Sequence, residues 1–431
     1  MITFDGQKKN KIIIEKNNLY NIVSLLLYKI SLDILYAYVI SPIYAYKGFG
    51  FKPKLYKYLI STFFFILMIK PIIKKYSKGK PSSLIILLLN LIYFIPGCTL
   101  YALADLSDIY FLWFSLYWIT LMICERMFPI IPIKIKKGKF KNLIFYFIVI
   151  LIVIVTIFIT GYYNGFNFHF GLSDVYTLRL DQRAMNLPVI VGYIQPLAAV
   201  VLPVAFVYFL IEKRVFLSIL LILTQLLLFS FGGSKFTFFA IVIAYLSYLF
   251  YNKTKDKYII WGLIVLNIMA IVEAYFNNHI SYIASYVQIR NFFTTNLLSF
   301  QYYDFFEKNE FLLLRASILN KLSFKNPYGV SIPRLIGLTY YGSFENNANN
   351  GLVGDAFSNF GWVGIVIYPL IIVLLLRVLD SCSKGIDAKV LVSVCIIYAM
   401  LLTNASLFTL LLTNGFMFMC IFLFYYPRIK S

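Results

Sequence analysis

Long apolar runs separated by short polar punctuation recur from one end of this chain to the other. Each run holds about 18 or more residues, enough to cross a hydrocarbon core roughly 30 Å thick. The runs are continuous and do not alternate apolar with polar positions, so they predict helices and exclude a membrane barrel. About twelve spans are expected, at 19–43, 56–74, 83–103, 109–125, 143–161, 190–211, 215–231, 236–251, 258–276, 357–376, 389–404 and 407–426. The fold class is therefore an all-α polytopic membrane protein, one integral-membrane domain over 1–431. In the first span Lys29 and Asp33 stand four apart, a spacing that pairs them along one helix face.

Two polar stretches interrupt the apolar pattern, and both are read as large loops on the outer side: 162–189 and 277–356. In the second, Leu312-Leu313-Leu314-Arg315-Ala316-Ser317-Ile318-Leu319 predicts a short helix lying on the bundle. Pro327 and Pro333, with Gly329, Gly337 and Gly342, then break regularity.

Charge is sparse but lopsided. Only 13% of the 431 residues are charged, against roughly 25% in soluble domains, yet the net charge is +21. The basic residues gather on short turns: Lys74, Lys75, Lys78 and Lys80; Arg126 with Lys134, Lys136, Lys137, Lys139 and Lys141; Lys213 and Arg214; Lys253, Lys255 and Lys257; Arg377 and Lys384; Arg428 and Lys430. In the twelve-span reading these turns and the N-terminal lysines share one side, which the positive-inside rule makes cytoplasmic, with both termini there. Lys47, Lys52, Lys54 and Lys57 form a basic loop on the opposite side and run against the rule. Charge so placed encodes topology and contact with anionic lipid, and it excludes a nucleic-acid partner. Lys8, Lys9, Lys11 and Lys16 precede the first span with no small-residue cleavage site after it, so the segment is expected to stay as a signal anchor. Cys98, Cys124, Cys382, Cys395 and Cys420 lie outside both large loops and show no CxxC spacing, so neither a disulfide framework nor a metal ribbon is expected.

Candidate chemistry concentrates in the two outer stretches. Arg179 and Arg183, four apart in VYTLRLDQRA, share a face if that segment is helical. The planar fork of arginine suits a pyrophosphate, although pairing with Asp174 or Asp181 is the plainer alternative. Arg290, Arg315 and Arg334 lie in the long stretch, Arg315 inside an apolar octet where a cation needs an anion or must snorkel. Glu345, Asn346, Asn347, Asn349 and Asn350 lead into Asp355, at the start of an apolar helix. That position suits either helix-start stabilisation or a general base. The asparagines fit sugar hydroxyls or simple turns. Gly351, Gly354, Gly361 and Gly364 permit close helix approach. Lys235, in Phe231-Gly232-Gly233-Ser234-Lys235, needs an anion or snorkels. His169 and His279 are the only histidines and lack metal-site spacing; no metal or cofactor is implied.

Taken together, Gly232-Gly233-Ser234-Lys235, Asp174-Val175-Tyr176 with Arg179, and Gly354-Asp355-Ala356-Phe357-Ser358-Asn359-Phe360-Gly361-Trp362-Val363-Gly364 in a many-spanned chain resemble the bacterial O-antigen polymerases, the Wzy-type repeat-unit polymerases. The resemblance implies a metal-independent membrane glycosyltransferase at the outer face of the bacterial cytoplasmic (inner) membrane. Its substrates would be oligosaccharide units carried on undecaprenyl pyrophosphate, polymerised into O-antigen or capsule. It further implies membrane lipids as surroundings, with a chain-length regulator and a flippase as partners. By analogy, loop arginines hold the donor pyrophosphate, and a group near the end of the long loop activates the acceptor. The related O-antigen ligases carry a histidine near that end; here Asn350 stands there, which argues against a ligase and leaves Asp355 as the base. A lipid-linked oligosaccharide flippase is the non-enzymatic rival, expected to have short loops and cations in a central cavity.

Overall fold

The computed structural model describes residues 4–75, 79–133, 139–166, 168, 171, 175–251, 258–318, 320 and 324–428, and their side chains except at 4–18, 139, 176, 177 and 183. Asp174, His169, the Arg183 side chain and the basic positions Lys78, Lys134, Lys136, Lys137, Lys253, Lys255, Lys257 and Lys430 lie outside the described residues. Every regular element among the described residues is helical. Among the described residues nine helices are long and apolar enough to cross a membrane: Leu19–Lys47, Leu55–Ile73, Pro81–Ala104, Asp108–Met127, Phe140–Asn164, Val191–Ile211, Val215–Gly232, Tyr258–Phe276 and Leu352–Cys382. Three shorter apolar helices, Lys235–Phe250, Ala388–Asn404 and Thr409–Tyr425, occupy the places of the other expected spans. The chain is an all-α polytopic membrane protein.

Contacts divide it into two compact units, one of Met1–Gly79, Ile86–Met127 and Thr254–Val373, the other of Lys80–Ile85, Phe128–Lys253 and Leu374–Ser431. Polar groups tie the first unit together from inside. Lys29 pairs with Asp33 at 2.5 Å, and the same carboxylate accepts from Thr99 at 2.7 Å and Tyr58 at 3.0 Å. Lys75 and Glu125, both buried, form a second pair. A charge in low dielectric persists only with such partners, and removing one costs about 3–5 kcal/mol. A π-helical turn at Asn90–Phe94 runs into Pro96, which has no N–H to give. Side chains serve its carbonyls: Tyr28 donates to Leu91 at 2.8 Å and Asn296 to Tyr93 at 3.0 Å.

Two of the lysines that ran against the positive-inside pattern, Lys54 and Lys57, have counter-ions. Lys57 lies 2.5 Å from Asp105 and 3.4 Å from Asp108, and Lys54 lies 2.9 Å from Asp105. These hydrogen bonds hold the Asp105 carboxyl below the usual carboxylate range against the opposing effect of burial. Two of the four positive charges on that loop are thus locally neutralised.

About half of the 277–356 stretch is helical. It opens on a π-helical segment, Ala284–Phe293, that runs directly into an α-helix, Thr294–Phe306. One face is buried, including Gln288, Phe292, Asn296, Ser299, Tyr302 and Phe306. Gln288 donates to Asn267 at 3.1 Å, and Asn267 to Ser31 at 2.9 Å, a polar seam through the unit's core. By contrast, the expected helix around 312–319 is absent from its described part. Residues 313–316 form turns, with Leu313 and Leu314 at φ of 49° and 64°, a left-handed conformation that stops a helix.

In the second unit the Val191–Ile211 helix contains Pro203, which cannot donate to the Ala199 carbonyl. Gln225 takes that carbonyl at 3.3 Å and the Thr237 carbonyl at 2.8 Å, joining three helices through one amide. Arg377 and Asp380, paired at 3.1 Å and buried, gather Ser82 and the Phe128 carbonyl.

Candidate functional site

The Leu352–Cys382 helix is broken at Gly361, where φ is 57° and ψ −138°. Only glycine visits that region at low cost. The break releases carbonyls from the helical ladder, and the 311–314 turn collects them. Leu312 N–H donates to Ser358 at 2.9 Å and Leu313 N–H to Asn359 at 3.1 Å. The Phe311 ring lies against Gly361, and a Cβ at Gly364 would run into the Ala356 carbonyl, so the two helical pieces close tightly over the break. The glycines of this segment make a broken helix, more than the smooth helix contact their spacing suggests.

Asp355 sits in the first turn of this helix and is 7% exposed. Asn359, one turn on, donates its amide to Asp355 Oδ1 at 3.1 Å and to the Asp355 carbonyl at 2.8 Å. Its own oxygen accepts the Leu314 N–H at 2.9 Å. One amide therefore orients the carboxylate and pins the turn that carries Arg315. Tyr117, Tyr302 and Tyr368 stand close enough to Asp355 to feel its charge.

Arg315 is committed to its own turn. Its guanidinium pairs with Glu310 at 2.5 Å and donates to the carbonyls of Leu312 at 3.0 Å and Phe311 at 2.9 Å. Arg334, on the Ile332–Tyr341 helix, and Arg290 are exposed, with no side-chain hydrogen bond or ion pair among the described residues. The 343–350 segment is stitched down at Ala348, whose N–H donates to Pro333 at 3.0 Å and whose carbonyl accepts the Tyr302 hydroxyl at 2.9 Å. Glu345 and Asn346 are exposed along it, and Asn350 is buried at its end. The Asn350 amide nitrogen lies where a Cβ on Gly354 would stand, so Gly354 is required for that close approach. Asp304 joins this surface, accepting from Lys308 at 2.8 Å and from the Tyr340 hydroxyl at 2.5 Å. Burial pushes its carboxyl up, but those two hydrogen bonds prevail and hold it below the usual range.

In the second unit two motifs far apart in sequence meet. The Val175–Ala184 helix lies on the Gly232-Gly233 reversal, with Arg179 Nε donating to the Gly233 carbonyl at 3.1 Å. Gly233 has φ of 56°, and a Cβ there would stand 2.9 Å from the Val175 carbonyl. Lys235, half-buried, begins the next helix. The structure thus groups Arg179 with Lys235 in one unit, and Asp355, Asn350 and the 311–315 turn in the other.

His279 is tied to its neighbourhood, its ring 4.6 Å from that of Tyr38 and its Nδ1 2.9 Å from the Tyr38 carbonyl. No cluster of three His, Cys, Asp or Glu side chains fit to hold a metal occurs among the described residues. Sequence reasoning missed the hold of Asn359 on Asp355 and the nearness of Tyr117 and Tyr368 to that carboxylate. Their only signal was polar side chains inside otherwise apolar spans, which is the usual mark of interior function in a membrane protein. A buried carboxylate fixed by an amide can accept a proton from a hydroxyl brought against it, and exposed arginines can neutralise phosphate. No protein-family model matches the chain, nor does any curated protein or solved structure.

Proposed function

We propose that the protein is a polysaccharide polymerase of the bacterial cytoplasmic membrane, joining undecaprenyl-pyrophosphate-linked oligosaccharide units at the outer face. The observation that carries this reading is the buried Asp355 carboxylate, oriented by Asn359 beside a glycine-broken helix. In the proposed reaction an acceptor sugar hydroxyl gives its proton to Asp355 as its oxygen bonds to the anomeric carbon of the donor chain. The anomeric C–O bond to the lipid pyrophosphate breaks, and its electron pair leaves with the phosphate. Arg290 and Arg334, in the same unit as Asp355, supply the positive charge that neutralises the departing phosphate. Arg315 acts by holding the turn that Asn359 grips. The membrane confines both lipid-linked substrates to one plane, which favours encounter.

Deleting the gene in its native host and displaying surface glycan on a gel tests the proposal. A ladder that collapses to single repeat units, restored by the wild-type gene and not by Asp355→Asn at equal membrane levels, supports it. Loss of all surface glycan points to a flippase or a ligase, and an unchanged ladder removes polysaccharide assembly from consideration.

A further inference from the structure

The basic loop that runs against the positive-inside pattern holds charge that its acids do not neutralise. Asp105 and Asp108 take Lys54 and Lys57, whereas Lys47 and Lys52 are exposed with no ion pair among the described residues. The Lys47 ammonium lies over the rings of Tyr44 and Tyr46, 5.3 Å from each centroid. Lys47 closes the Leu19–Lys47 span, and that span runs parallel to Tyr258–Phe276. Tyr20 meets Trp261 with ring centroids 5.9 Å apart, and Asn267 donates to Ser31 at 2.9 Å. Further along, the Tyr38 carbonyl lies 2.9 Å from His279 Nδ1, and the Tyr44 and Ser285 hydroxyls are 2.6 Å apart. The partners advance along both chains in the same direction, so Lys47 and the segment after Phe276 share one end of the pair.

That segment contains the π-helix Ala284–Phe293, ten residues long where a single turn is usual. Tyr282, Tyr286 and Arg290 stand exposed at intervals of four along it. The turn bearing Lys47 meets this segment at two points: the Tyr44–Ser285 hydrogen bond, and Gly48, where a Cβ would stand 3.1 Å from the Leu297 side chain. Lys47 lies between those points on its own chain, and Arg290 lies between them on the other. Glu273, the carboxylate at the end of the Tyr258–Phe276 span, pairs with neither cation. It accepts from the Ser281 hydroxyl at 2.6 Å and the Ile283 N–H at 3.0 Å. Two such cations, flanked by exposed tyrosines, match a lipid head with two phosphates better than a phosphodiester with one charge. Along the spans, Ile30 and Ile34 on one and Ile268 and Val272 on the other are exposed apolar positions for a hydrocarbon tail. We infer that Lys47, with Arg290, Tyr282 and Tyr286, forms the docking surface for the pyrophosphate head of the lipid-carried donor. The identity of that lipid rests on the polymerase reading; Lys47, the tyrosines and the shared end of the two parallel spans are added to it.

The probe is polyprenyl pyrophosphate in detergent micelles, titrated against purified full-length protein while the unfolding temperature is followed. The wild type is expected to be stabilised. The half-saturating concentration is expected to rise about tenfold in Lys47→Gln and in Arg290→Gln, and to stay at the wild-type value in Lys47→Arg and Lys52→Gln. Lys47, Lys52 and Arg290 are all exposed, so the variants are expected to fold. Half-saturation unchanged in Lys47→Gln overturns the surface, as does a wild type that the probe does not stabilise. An equal rise in Lys52→Gln also overturns it, because general charge alone would then draw the lipid. So does phosphatidylglycerol that stabilises the wild type as strongly at the same concentration and loses its effect in Lys47→Gln, because the surface would then serve the surrounding bilayer. None of these readouts needs chain extension. If the deletion strain keeps its ladder while Lys47 still governs binding, the polymerase reading alone has failed. A collapsed ladder with binding indifferent to Lys47 fails the docking surface alone.

Discussion

The chain breaks its helices with glycine at two places that matter, and the two breaks are resolved differently. At Gly361 the released carbonyls are taken by backbone N–H groups of the 311–314 turn, and a neutral amide, Asn359, completes the set. At Gly233 the carbonyl is taken by a guanidinium, that of Arg179. Backbone polar groups in a membrane protein must find partners inside the protein, so every break recruits something. A neutral recruit gives a compact, water-poor corner in which a carboxylate is held in one orientation. A charged recruit gives a surface that carries cations. The chemistry proposed at Asp355 follows from the neutral group that repairs its break.

The contrast can be broken by substitution. Gly364→Ala places a methyl on the Ala356 carbonyl, and Gly361→Ala forces a side chain into a conformation that costs about 1–3 kcal/mol before any contact with Phe311 is counted. Both are expected to abolish recovery of folded protein from detergent extracts, as measured by size-exclusion profile and unfolding temperature. Gly233→Ala, at an ordinary left-handed conformation, is expected to fold. Its methyl meets the Val175 carbonyl and dislodges the Val175–Ala184 helix, seen as faster protease cleavage between 166 and 190.

Charge and amide substitutions sharpen the comparison. Asp355→Asn keeps the shape and removes the base, and is expected to lower chain extension by about 10²–10⁴-fold, leaving single repeat units on the gel. Arg179→Ala removes one charge-assisted bond worth about 1.5–3 kcal/mol and is expected to shorten the ladder without abolishing it. Asn359→Ala deprives both Asp355 and the Leu314 N–H of their partner. It is expected to cost about 1–3 kcal/mol of stability and to thin the ladder, and Asn359→Gln does not restore it because the longer amide overshoots the carboxylate.

The smallest expected effect is acidic. Asp304 joins the Thr294–Phe306 helix to Tyr340 of the Ile332–Tyr341 helix, and its carboxyl is held below the usual value near 3.9. A carboxyl whose pKa is lower in the folded state stabilises above its unfolded value, and that contribution is lost as pH falls through the folded one. Protease sensitivity between 307 and 331 is therefore expected to be flat from about pH 5 to 8 and to rise only below about pH 4. Asp304→Asn is expected to remove the acid-dependent part.

How far the sequence spoke for the structure depends on where each partner lay. Apolar runs announce a helix by themselves, so the long spans were legible, and so was the Lys29–Asp33 pair one turn apart. The Ala284–Phe306 helix was not, because Gln288, Asn296 and Ser299 read as loop-like until their neighbours are known. Gln288 is at home in the core because Asn267 meets it, and Asn296 because Tyr93 does. Nor could the basic loop at Lys54 and Lys57 be read correctly in isolation, since its counter-ions are Asp105 and Asp108, about fifty residues on. Asp355 stood out at a helix start, but the role of Asn359 exists only once Gly361 has opened the ladder. The grouping of Arg179 with the glycine reversal joins segments fifty-four residues apart, beyond any local pattern.

The pairing inside the first span has a consequence for how the protein is made. Asp33 draws on Lys29 from its own helix, but also on Tyr58 and Thr99, which are synthesised later. When the first span leaves the insertion machinery it carries an ion pair whose remaining partners do not yet exist. Lipid offers such a pair little, so the segment is best kept at the lateral gate, or beside a chaperone, until roughly the first hundred residues have emerged. Biogenesis is thereby coupled across three helices from the start, and a ribosome stalled before Thr99 should leave a first span that can still be extracted from the membrane.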